Sequence, residues 1–329
     1  MTTTHVPPPT ARSPAPPPPA GHAAAKQSKM TIASVTRGKV AAPWRVAIYG
    51  TEGGGKTTWA SGAPAPIFLP GEDGTNHLDV ARFPRPESWG DVLDSIRTLT
   101  ADPHDFKTLV IDTIDGLEPL CWKYVCDKGG KTDIESFGYG KGYNAALDEW
   151  RLFLAALERL CRARAMNVIL IGHAQVRTFK NPVGPDYDRY SMKINDKAAG
   201  LIREWTDATL FATYEEFSVK DERNANRVRG VSSGARIVHT QRSAAWDAKN
   251  RFDLPEPMPL AFEDFASAVE AHRPGDPEKL RKEITETLAL IGDAELAKKV
   301  NEAVKGAGDD AARLARIKDR VAAKAAAKE

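Results

Sequence analysis

The chain has 329 residues, enough for one large domain with appendages. Its 46 basic and 44 acidic residues leave a net charge of +2, so any nucleic-acid contact must come from local patches. Three cysteines, Cys121, Cys126 and Cys161, are too few for a disulfide framework and lack the remaining ligands of a zinc site. No apolar run reaches the length of a membrane span, and no apolar signal segment opens the chain, so a cytoplasmic protein away from the membrane is expected.

In chain order, residues 1–29 are rich in proline and alanine, lack acids and have little to bury, which predicts a disordered tail. Residues 30–272 are expected to form a P-loop domain. Its first core strand is "WRVAIYG" (44–50), followed by "GTEGGGKTTW" (50–59). This segment fits G-x-x-x-x-G-K-[ST], the phosphate-binding loop. Backbone N–H groups of Gly50, Thr51, Glu52, Gly53, Gly54 and Gly55 can wrap a phosphate, because glycine leaves no Cβ in the way. Lys56 is expected on the β- and γ-phosphates and the Thr57 hydroxyl on Mg²⁺, with Thr58 completing the nucleotide site at the head of a helix.

"APIFLPGEDG" (65–74) reads as a second strand and its loop, and 86–100 as a helix. The apolar strand within 107–117 ends in Asp112, a Walker B carboxylate suited to holding the metal. Asp115 is a candidate to assist it, but reads rather as a cap or turn residue. A long amphipathic helix is predicted over 142–165 and a buried strand over 166–176, followed by strands over 207–216 and 235–242. Apolar strands alternating with helices predict a mostly parallel sheet covered on both faces, with ligands at its carboxyl edge. Residues 273–329 are rich in Ala, Lys and Glu without aromatics, and predict a helical C-terminal segment of two or three short helices. Leu280, Ile284, Leu288 and Ile291 recur there at helical spacing, ready to pack on the core or on a partner.

Hydrolysis needs a base that orients water. Glu72 and Asp73, at the end of the second strand, compete for that role. His173 and Gln175, at the tip of the 166–176 strand, are candidates for sensing a γ-phosphate. Two segments that read as loops interleave basic and aromatic residues, a pattern that holds single strands through phosphate contacts and stacking. Within 123–143 these are Lys131, Tyr139 and Lys141, and within 176–195 they are Arg177, Phe179, Lys180, Arg189, Tyr190 and Lys193.

The motifs "GTEGGGKTTW", "FLPGEDGT", "LVIDTIDGL", "FGYGKGYN", "NVILIGHAQV" and "DAKNRFDLPEP", spanning roughly 44–257, resemble the RecA-like ATPases of bacteriophages, an AAA-type P-loop group that includes single-strand-annealing and recombinase-core proteins. The resemblance implies a RecA-like α/β core and Mg-ATP at a subunit interface of a homo-oligomer. It implies that Glu72 activates water and that the two basic-aromatic segments bind single-stranded DNA. It also implies that Lys249 and Arg251 reach the γ-phosphate of a neighbouring subunit. The implied activity is DNA-stimulated ATP hydrolysis in phage recombination, by annealing or strand exchange, with a single-strand-binding protein as a candidate companion. The alternatives are a helicase-loader or packaging-type ATPase and a P-loop small-molecule phosphotransferase. The sequence departs from the family at the sensor, where Gly172-His173-Ala174-Gln175 replaces the usual glutamine or asparagine.

Overall fold

The structure, a computed structural model, describes residues 40–221, 224–272, 277–308 and 310–326, together with Ile32 and Val35. The segment predicted as a disordered tail lies outside the described residues. Lys39–Glu329 makes one unit. It runs β1 (Arg45–Gly50), α1 (Lys56–Ser61), β2 (Pro66–Pro70), β3 (Ala81–Arg82), α2 (Trp89–Ala101), β4 (Thr108–Asp112), α3 (Ile114–Gly129) and α4 (Lys141–Arg164). There follow β5 (Asn167–Phe179), β6 (Tyr187–Met192), α5 (Asp196–Trp205), β7 (Ala208–Asp221), β8 (Asn224–His239), β9 (Lys249–Asn250), β10 (Met258–Pro259) and α6 (Phe262–His272). Three helices close the described chain: α7 (Pro277–Ile291), α8 (Ala294–Ala307) and α9 (Ala311–Ala326).

The strands form one mixed sheet in the order β10-β8-β7-β1-β5-β4-β2-β3, with β6 added to β5 and β9 to β7. From β7 through to β3 every neighbouring pair is parallel; β8 and β10 add antiparallel strands beyond β7. This is the mostly parallel, helix-flanked architecture that the alternating sequence pattern predicts. The strands are buried on both faces because their side chains alternate between two cores. Val46 and Ile48 of β1 join Trp59 of α1 and Phe262 and Phe265 of α6. Ala47 and Tyr49 join Trp150, Phe153 and Leu157 of α4. Trp59 lies with its ring centroid 5.1 Å from Phe262 and 5.2 Å from Phe265, so aromatic packing fixes α1 against α6.

Register aligns the carboxyl ends of the central strands. Gly50 of β1 sits beside His173 of β5 and Ala212 of β7, while Asp112 of β4 sits beside Pro70 of β2 and Ile171 of β5. Glycine makes this edge close enough. A Cβ on Gly50 would run into the carbonyl oxygen of Ala212, and one on Gly71 into that of Thr113.

Several segments differ from the sequence expectation. Residues 123–143 are not a loop: α3 runs on to Gly129, a short 3-10 turn spans Glu135–Phe137, and α4 starts at Lys141. Pro119 lies inside α3, and a proline in sequence reads as a helix stop. Residues 176–195 are largely the paired strands of the β5–β6 hairpin. The helices α5 and α6 have no counterpart among the predicted elements. The C-terminal helices pack on one another, with Leu280, Ile284, Leu288, Leu314 and Val321 in an apolar cluster of their own.

Candidate nucleotide site at the carboxyl edge of the sheet

The loop after β1 leads into α1, which begins at Lys56 with Gly55 before it in the left-handed conformation at φ 89°. Lys56 is buried, and its ammonium donates to the carbonyl oxygens of Gly50 at 3.1 Å and Thr51 at 2.7 Å. Burial lowers its pKa, opposed by Asp112, Asp115 and Glu72. All three acids therefore lie close enough to be felt by the lysine.

Asp112 ends β4 and is only 2% exposed. Burial raises its pKa, and a hydrogen bond from the Thr57 hydroxyl pulls the other way. Its Oδ2 is buried without a hydrogen-bond partner. An orphaned carboxylate oxygen beside a threonine hydroxyl and a lysine is a costly arrangement in a dry site, and it fits a divalent cation. Thr57 and Asp112 are the residues that would hold Mg²⁺.

Asp115 lies in the first turn of α3, and its carboxylate serves β5 rather than capping the helix. Thr113 caps α3 by accepting from the N–H of Gly116 at 3.2 Å, while Asp115 faces β5. Its Oδ1 accepts from the backbone N–H of His173 at 2.9 Å, and its Oδ2 lies 2.7 Å from His173 Nδ1. That hydrogen bond raises the His173 pKa, against burial. In return, although burial pushes Asp115 up, the bonds from His173 hold it below the usual carboxylate range. The other imidazole nitrogen, Nε2, is 3.8 Å from Glu72 Oε1. Glu72, His173 and Asp115 thus form a chain across the ends of β2, β5 and the start of α3.

The two competing acids separate clearly. Glu72 faces His173, whereas Asp73 is exposed and paired with Arg85 at 3.2 Å. The two sensor candidates separate as well. His173 joins the site, while the Gln175 amide donates to the carbonyl of Met192 at 2.8 Å and serves the β5–β6 hairpin.

The basic-aromatic residues divide into two groups. Lys131, Tyr139 and Lys141 are exposed, between α3 and the first turn of α4. Those of the second segment are largely engaged within the chain. Arg177 pairs with Asp196, Lys180 with Asp186 at 2.5 Å, and Lys193 with Glu52 at 3.9 Å. Arg189 is buried against Asp247, its guanidinium 5.1 Å from the Phe179 ring. Tyr190 stacks on Phe211 with centroids 4.9 Å apart.

Lys249 lies on β9, which pairs with the start of β7, and Arg251 directly follows that strand. Together with Arg177, Phe179, Arg189 and Arg242 they line a cleft of about 720 Å³. Lys249 donates to the carbonyls of Arg203, Glu204 and Thr206 and so closes the C-terminal end of α5. Arg251 is exposed and lies 3.4 Å from Asp207.

Sequence reasoning missed Asp115 as the partner of His173, and Tyr214 and Arg236, which approach the phosphate loop from β7 and β8. The spacing from Asp112 to Asp115 was a usable signal for the first. Nothing local marks the other two, because the cross-strand pairing of β7 and β8 brings them together.

Among curated proteins, the chain is 27% identical over 112 residues to the SPbeta prophage-derived uncharacterized protein YorG of Bacillus subtilis (strain 168). That match covers 32% of this chain and 35% of the relative, so the chain spans about a third of that protein's length. Among solved structures, the RadB recombinase aligns over 65% of this chain and 84% of its own, with 16% identity and a TM-score of 0.37. Among the described residues no helix is long and apolar enough to cross a membrane. The AAA_24 family model, described as an AAA domain, matches residues 42–252, which is more than half of the chain and includes every residue of the candidate nucleotide site, and the chain belongs to this family of P-loop ATPase domains.

Proposed function

We propose that the protein hydrolyses ATP and binds single-stranded DNA in phage-type recombination, by annealing or strand exchange. One observation carries the nucleotide part. Lys56, Thr57, the orphaned oxygen of Asp112 and the Glu72–His173–Asp115 chain converge at one sheet edge. In this reading Lys56 leaves the loop carbonyls for the β- and γ-phosphates. Mg²⁺, when bound at Thr57 and Asp112, neutralises phosphate charge. Glu72 accepts a hydrogen bond from the attacking water, and His173, held by Asp115, reports on the γ-phosphate.

The DNA part rests on the family resemblance, on the exposed Lys131, Tyr139 and Lys141, and on the arginine-lined cleft next to the β5–β6 hairpin. The prophage origin of YorG agrees with the phage setting. Assembly into a homo-oligomer would let cations act on a neighbour's ATP. Arg251 suits that role better than Lys249, whose ammonium already serves three carbonyls.

The test is steady-state ATP hydrolysis with and without single-stranded DNA, with Lys56→Ala as the blank. The expected result is hydrolysis that single strands raise by about three- to ten-fold, duplex raises less, and Lys56→Ala abolishes. Hydrolysis indifferent to DNA, together with no single-strand binding at low salt, would reject the DNA part and favour a loader-type ATPase or a phosphotransferase.

A further inference from the structure

Tyr214 and Arg236 face each other across the β7–β8 ladder, where β7 leaves its parallel pairing with β1. Both side chains turn to the phosphate loop. The Tyr214 hydroxyl is 3.4 Å from the carbonyl oxygen of Gly53. The Arg236 guanidinium lies against Gly55 so closely that a Cβ there would sit 2.7 Å from one terminal nitrogen and 3.5 Å from Cζ. Its Cζ is 5.8 Å from the centre of the Tyr214 ring, so the ring sets where the guanidinium stands.

Several other cations among the described residues are engaged. Lys56 serves two loop carbonyls, Lys193 faces Glu52, and Arg189, Arg203 and Arg242 share Asp247. Arg236 is exposed, and among the described residues no carboxylate pairs with it. A permanently charged, planar fork without an acid, held over a loop of glycines, is suited to phosphate oxygens.

We propose that Arg236 is a phosphate ligand supplied in cis: the β7–β8 hairpin lays its guanidinium on the phosphate chain of the nucleotide bound by the same subunit, with Tyr214 as its backing. The assignment rests on the reading of residues 50–58 as a nucleotide site. It makes β8 part of that site although β8 carries no nucleotide-binding motif. The ligand class is a nucleoside di- or triphosphate, and adenosine alone gains nothing from the contact.

The test measures binding of a fluorescent ATP analogue in the full chain, with displacement by ATP, ADP and adenosine. Thermal unfolding without nucleotide serves as the control for folding. Arg236→Ala is expected to weaken ATP and ADP about ten- to a hundred-fold, with adenosine and the unfolding midpoint unchanged. Arg236→Lys should recover part of the loss. Tyr214→Leu should cost less than Arg236→Ala, because it removes only the backing. Parent-like affinity in a folded Arg236→Ala chain overturns the proposal. If that chain does not fold, Arg236→Lys and Tyr214→Leu decide, and parent-like affinity in both overturns it.

Two controls separate the possible failures. If the parent chain does not bind ATP, or Lys56→Ala binds it equally well, the nucleotide site itself is wrong and this proposal falls with it. If Lys56→Ala is defective but Arg236→Ala is not, only the present proposal fails. Mixing Arg236→Ala with Lys56→Ala tests the cis assignment. No recovery of affinity is expected, and recovery would mean that the arginine acts on a neighbour.

Discussion

At the scale of single residues, the site turns on which side chains are left unsatisfied. Asp112 has a buried oxygen without a donor, and Glu72 faces an imidazole 3.8 Å away, whereas Asp73 already has Arg85. This asymmetry predicts that Glu72→Gln lowers kcat by at least about a hundred-fold while Asp73→Asn keeps most of the activity. Parallel measurements of kcat and KM on the two variants check it, and the reverse order would make Asp73 the base. Much of this site was legible in the sequence. The phosphate loop and the Walker B strand are each a short contiguous segment, and their spacing encodes the chemistry directly. The choice between Glu72 and Asp73, and between His173 and Gln175, was not encoded locally. It depends on what lies across the sheet, and neighbouring residues in one loop differ in that by a rotation of the chain. The spacing of Asp115 from Asp112 marks it as a site residue, but its partner His173 lies on another strand and is not named by that spacing.

Among the secondary-structure elements, α3 is held to α5 through a carboxylate that would ordinarily avoid burial. Glu118 is 7% exposed and accepts from the backbone N–H of Asn195, the residue that caps α5, at 2.8 Å. Burial raises its pKa to about 7, although Asn195 and Arg177 oppose the shift. An acid whose folded pKa lies above its unfolded value binds more protons when folded, so stability falls as pH rises from the unfolded pKa to the folded one. The parent chain should therefore lose stability between about pH 4.5 and 7 from this group. Glu118→Gln keeps the acceptor, removes the charge and should be more stable at pH 8 by about 1–3 kcal/mol. Denaturant melts at pH 5 and pH 8 provide the measurement, and an equal difference at both pH values would remove Glu118 as the cause. Most strands and the long helix α4 were legible because their apolar periods are unbroken. The helix α3 was not, since Pro119 and the glycines that follow it imitate a loop. The β5–β6 hairpin was not, because its charged residues pair with one another and read as solvated coil.

For the whole molecule, two apolar cores sandwich the sheet, and a third cluster in α7, α8 and α9 shares no residue with either. Ending the chain after His272 should therefore leave the main unfolding midpoint within about 3 °C of the parent and preserve ATP binding. Calorimetry with a nucleotide titration checks this, and loss of the main transition would show that the C-terminal helices are integral to the sheet domain. The sequence could place these helices by their period but not say what covers them, since an apolar stripe does not name its partner. At the other side of the sheet, β7 is hydrogen-bonded to the strand that carries the phosphate loop and continues past Ala212 as a two-stranded ladder with β8. From Ala212 to Asp221 the ladder extends about 30 Å, so a tilt of about 5° at its root carries the far end about 3 Å. The β7–β8 ladder is thus a long arm rooted at the phosphate-loop edge, with the register shift between Tyr214 and Glu216 close to its root.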